Sequence, residues 1–124
     1  MSTAAQVLAI FIAVMLTVVF VTESLLYRNP RLYPLFLIRK DDLGAVRMWT
    51  VNMGFYNLTT AAALVAGVVL VRTGHLPQGE ALIIFTAAQH VFMAVVLVVS
   101  QRQLWLNALM EGIPAAVLLI LALN

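Results

Sequence analysis

The chain contains no cysteine, and charged residues make up only 10% of it. The first absence excludes disulfide frameworks, thiolate nucleophiles and cysteine-ligated zinc or iron–sulfur sites. The second reaches further. A soluble domain averages roughly half apolar and about a quarter charged residues, whereas 64% of these 124 residues are hydrophobic. There are too few polar side chains to cover a water-facing surface, so the solvent of this protein is largely lipid. A net charge of +2 with only five acidic residues reflects scarce carboxylates rather than a basic face, which argues against nucleic acid as a partner. Lys and Arg are also missing from residues 1–22. A secretory signal peptide opens on a basic segment, so the first apolar stretch reads as a permanent helix.

What is present is four apolar segments of spanning length, about 20 residues each: residues 4–27, 45–71, 80–100 and 104–123. The expected fold is all-α, a single domain over residues 1–124 in which four transmembrane helices run up and down as an antiparallel bundle. Pro30 cannot continue the first helix, Asp41 and Asp42 are placed to cap the second, and Leu76-Pro77-Gln78-Gly79 has the composition of a turn. Gln101-Arg102-Gln103 makes a very short last hairpin, and short connections force neighbouring helices to be antiparallel. The one long loop, residues 28–44, mixes Leu32, Tyr33, Leu35, Phe36, Leu37 and Ile38 with Arg28, Arg31, Arg39 and Lys40, a composition suited to the membrane interface. Trp49 and Trp105 read as belt residues at the same boundary.

Polar residues inside the spans carry the functional information, because a carboxylate at mid-helix costs roughly 2.5–3.5 kcal/mol on insertion scales. Glu23 lies about one turn inside the first helix, Asn52 about two turns into the second and Glu111 about two turns into the fourth. At ~1.5 Å per residue they fall on one layer, ~6–10 Å below the interface. On the second helix Asn52, Tyr56, Thr59, Ala63 and Ala66 share a stripe, and on the fourth Asn107, Glu111 and Ala115 do. Pro114 leaves the Met110 carbonyl without its usual donor. His90 shares a stripe with Thr86 and Ala94 nearer the midplane, at a depth reached by Tyr56 and Asn57, and this offset from the two glutamates weakens any reading of a shared metal site. Bland readings stand beside each: Glu23 snorkelling to the interface, Glu111 hydrogen-bonded to Asn52 as bundle glue, His90 as a core histidine.

Three stretches go further: Thr22-Glu23, the run Asn52-Met53-Gly54-Phe55-Tyr56-Asn57, and Glu111-Gly112-Ile113-Pro114-Ala115. Their order and spacing resemble a family of small bacterial membrane proteins catalogued as domain of unknown function 1304, with an N-Q-G-L-Y-N-like run opening the second helix and a Q-G-x-P-A run in the last. Two positions depart from it. Glu111 stands where the family carries glutamine, and Met15-Leu16 stand where it carries a Glu-His pair. The resemblance implies a four-helix protein of the bacterial inner membrane and points to Glu23, Asn52, Tyr56, Asn57 and position 111, with no activity attached.

No nucleophile elbow, phosphate loop, metal motif or cofactor motif occurs. The leading function is binding or transport of a small molecule or cation at a polar cluster of Glu23, Asn52, Tyr56, Asn57 and Glu111, with His90 and Asn107 as further candidates. A private pathway through 124 residues is thin, so transport calls for a homo-oligomer. An accessory or structural subunit of a membrane complex is the alternative, and a membrane enzyme acting on a lipid or quinone is third. Lys and Arg number six on the side of the first and third loops against Arg72 alone on the other, which places those loops in the cytoplasm and both termini outside. A reporter active only in the cytoplasm, fused to the C-terminus, is expected to stay silent; full activity of that fusion reverses the topology.

Overall fold

In lipid a backbone has no water to bond, so a long apolar run must satisfy its N–H and C=O groups within itself, as a helix. The computed structural model describes residues 1–124. It contains α1 (Thr3–Phe20) continued by a π turn (Val21–Leu25), then α2 (Arg47–Arg72), α3 (Leu76–Ser100) and α4 (Trp105–Leu123). The all-α expectation holds, and all four spans are long and apolar enough to cross a membrane. Each helix packs on the next, and α1 returns against α4 to close the ring. Contacts at both ends fix the directions. The end of α1 meets the start of α2 where Ser24 Oγ donates to the Val51 carbonyl at 2.8 Å. Its start meets the end of α2, where Arg72 Nε donates to Gln6 Oε1 at 2.9 Å.

The core is built from small and medium residues. Ala5, Ala9, Ile12, Ala13 and Leu16 of α1 meet Ala61, Leu64 and Val68 of α2, Ile83 and Ala87 of α3, and Leu118 of α4. Larger side chains point outward, Val99 at 74% exposure and Phe85 at 69% among them. In a membrane protein that surface is the lipid contact, and the small residues inside let backbones approach. The closest approach near the α2–α3 hairpin is between those two helices. A Cβ at Gly79 would lie 2.5 Å from the Gly67 carbonyl oxygen, and one at Gly67 would lie 2.6 Å from Ile83 Cγ1.

Hydroxyls inside the spans mostly satisfy themselves. Thr17 donates to the Ala13 carbonyl at 2.8 Å and Thr86 to that of Leu82 at 2.7 Å, each one turn back on its own helix. Such bonds cost little in lipid and join nothing.

Three boundaries differ from the sequence reading, each for a local reason. The segment Leu76-Pro77-Gln78-Gly79 is the first turn of α3 rather than a loop. Proline lacks an N–H, but a first-turn N–H has no intrahelical acceptor to lose. The α2–α3 connection shrinks to residues 73–75, with Gly74 at φ 90° and His75 N–H donating to the Leu70 carbonyl at 2.9 Å, a glycine-terminated helix end. The first helical segment stops at Leu25, five residues before Pro30, because the Leu26 N–H reaches back to Val21 O at 3.0 Å and closes a π turn. Asp41 and Asp42 do not cap α2. They belong to a 3-10 turn (Lys40–Asp42), and the N-cap of α2 is Val46, which makes no side-chain cap. Asp42 instead lies 3.8 Å from Arg39 Nε. In the same loop Tyr27 and Ile38 are buried, while Leu35 and Leu37 are exposed beside the basic residues.

Gly79→Leu is expected to force α2 and α3 apart and lower the detergent melting temperature, with an overpacking cost of about 1–3 kcal/mol. Gly44→Ala, where an added Cβ meets nothing within 4 Å, is expected to leave that melting temperature unchanged.

Candidate functional site

The π turn that ends the first span carries Ser24 and Glu23. A turn of this kind widens the helix by one residue and is common at functional positions. Here it sets two groups against the opening turns of α2. Thr50 Oγ1 donates to the Glu23 carbonyl at 2.9 Å, and Ser24 Oγ donates in the other direction, to Val51 O. Nearly two turns further along α2, Asn57 Nδ2 donates to Glu23 Oε2 at 2.9 Å. Gly54 makes this possible, since a Cβ built on it would overlap the Ser24 hydroxyl. Of the side-chain hydrogen bonds that cross between spans, three lie in this joint, and the fourth, Arg72 to Gln6, lies at the opposite end of the bundle.

Glu111 approaches the joint from α4. It is half-buried. On its other side Glu111 lines a void of about 20 Å³ together with Ile12, Met15, Val19, His90 and Pro114. His90 is 8% exposed, and its Nδ1 has no hydrogen-bond partner. His90 and Glu111 border one void between α1, α3 and α4, and at ~1.5 Å per residue His90 still lies several ångströms further from the α3–α4 hairpin than Glu111 does. The chain holds no group of three His, Asp or Glu side chains that could close around a metal ion.

The predicted cluster divides. Glu23, Asn57 and Glu111 are half-buried, and His90 lies across the void from Glu111 alone. Asn52 and Tyr56 do not join them. Asn52 is exposed and spends an amide N–H on the Met48 carbonyl of its own helix at 2.7 Å, and Tyr56 is 68% exposed. The reason is helical phase. Thr50, Gly54, Ala61 and Leu64 are the buried stripe of α2, and Asn52, two residues from Gly54, points ~160° away from it. The Asn52–Glu111 hydrogen bond expected as glue is thus not formed. Asn107 is half-buried, one turn closer to the last hairpin than Glu111.

Sequence reasoning missed Ser24 and Thr50. Small hydroxyl residues in an apolar run usually bond their own helix, as Thr17 and Thr86 do, so nothing in their type singled them out. The one available signal was their position beside Glu23 and ahead of Gly54.

Four apolar spans closed around an intramembrane polar joint define a multi-pass membrane protein. The chain matches the family described as "Protein of unknown function (DUF1304)" over residues 10–123, and it belongs to that family. No curated protein and no solved structure matches it.

Asn57→Leu removes the donor to Glu23 and is expected to lower stability in detergent, with a Glu23–Asn57 coupling of about 0.6–2 kcal/mol by double-mutant cycle. Asn52→Leu, at an exposed position on the same helix, is expected to leave the melting temperature of the isolated chain unchanged. Equal losses from both substitutions count against the division drawn above.

Proposed function

We propose that the protein takes up a proton or a small monovalent cation at the Glu23–Glu111 pair. The observation that carries this reading is the 2.9 Å bond from Asn57 to Glu23 Oε2, which holds one carboxyl in place inside the bundle while a second, Glu111, lies half-buried on α4. Two carboxyls in each other's field at membrane depth are costly when both are charged. A shared proton or cation relieves that cost, and its arrival and departure would change the net charge of the site. Size narrows the ligand. The void beside Glu111 is about 20 Å³, room for roughly one water molecule or a small ion. Glu111 replaces an uncharged glutamine in the family pattern, which makes the second carboxyl a property of this sequence. The reading places the protein in a bacterial plasma membrane with the joint on the cytoplasmic side, as the loop charges favour.

The accessory-subunit reading draws its support from a different place, the polar face that α2 turns outward.

Reconstitution into vesicles with a trapped pH-sensitive dye separates the possibilities. An imposed cation gradient is expected to drive a change of lumenal pH. Glu111→Gln, which keeps shape and hydrogen-bonding capacity, is expected to abolish that change while the melting temperature persists. Undiminished exchange in Glu111→Gln and in Glu23→Gln removes the proposal.

A further inference from the structure

Asn52, Tyr56, Thr59, Ala63 and Ala66 lie within about 40° of one line down α2, on the side turned away from its buried stripe. The stripe is polar in its first half and small in its second. Asn52 commits one amide N–H to the Met48 carbonyl, which leaves the other N–H and Oδ1 facing out. Thr59 Oγ1 donates to the Tyr56 carbonyl at 2.9 Å, and the Tyr56 ring stands clear of the chain. At ~1.5 Å per residue from Arg47, Asn52 is ~7 Å and Tyr56 ~13 Å into the helix. A row of polar groups at these depths is poorly matched to hydrocarbon. The outward faces of the other helices are different in kind: α3, for example, carries a single polar group, Gln89, between Phe85 and Phe92.

We infer that this face of α2 is the contact between two copies of the chain. Copies inserted by the same loop charges share one orientation, so each residue meets its twin at equal depth across a two-fold axis along the membrane normal. An asparagine amide is both donor and acceptor, and a tyrosine hydroxyl is too. Each therefore complements its own copy at the matching depth. Further along α2, Ala62, Ala63 and Ala66 present no bulk, so the two backbones can close on one another where the polar groups end. The inference rests on the exposed side of α2 and not on the Glu23–Glu111 pair, so either can fail without the other.

The absence of native cysteine permits a clean test in membranes. Thr59→Cys, Ala63→Cys and Ala66→Cys are expected to form disulfide-linked dimers on mild oxidation. Val14→Cys on α1, Gln89→Cys on α3 and Ile120→Cys on α4 are expected to remain monomeric. In mild detergent, native mass spectrometry is expected to show a dimer, and Asn52→Leu to raise its dissociation constant about tenfold with the melting temperature of the monomer unchanged. Cross-linking no stronger on α2 than at the control positions overturns the inference. So does a dimer formed through Gln89→Cys instead, a different protein captured by the α2 cysteines, or a wild-type chain that is monomeric in native spectra.

Discussion

The distance between the first two helices is set where Ser24 rests on the bare backbone of Gly54, and much of the interior chemistry depends on that distance. With any side chain at residue 54, the Ser24 hydroxyl could not reach Val51, nor could the Thr50 hydroxyl reach back to Glu23. Those two bonds run in opposite directions across the same gap, so they resist sliding of either helix along the other. Glu23 is delivered to Asn57 by the same placement. The π turn belongs to this arrangement, since it presents Ser24 and Glu23 toward α2 within consecutive residues.

Lipid as solvent explains why so few contacts matter so much. Apolar side chains gain little by leaving hydrocarbon for a hydrocarbon-like core, so helix association leans on close packing and on hydrogen bonds. The packing comes from alanines and from glycine crossings at both ends of the bundle, Gly54 at one and Gly67 with Gly79 at the other. The hydrogen bonds are nearly all gathered at the Ser24–Gly54 end. Between these ends the interior is tight, and the void between Glu111 and His90 is of water size.

Much of the architecture was legible in the residues. The four spans, the short hairpins and the basic loop follow from composition and length alone. The errors came where two physical effects compete for one motif. Pro77 reads as a turn residue until its place in a first helical turn removes the penalty. Asp41 and Asp42 read as caps until three further residues of turn intervene before Val46. The site was half legible. Cost in lipid singled out Glu23 and Glu111, which are half-buried in the bundle, but it selected Asn52 and Tyr56 on the same grounds, and they face out.

The amino-acid sequence by itself determined that this chain spans a membrane four times and which of its side chains are expensive there, because hydropathy and the cost of burying charge depend on residue type and depth. Only the tertiary structure decided which expensive side chains meet. That depends on rotation about each helix axis, and a helix places residues 52 and 54 on nearly opposite faces although their depths differ by only ~3 Å. The run from Asn52 to Asn57 looked like one motif in the sequence. Folded, it divides into Gly54 and Asn57 joining the first helix, and Asn52 and Tyr56 turned outward.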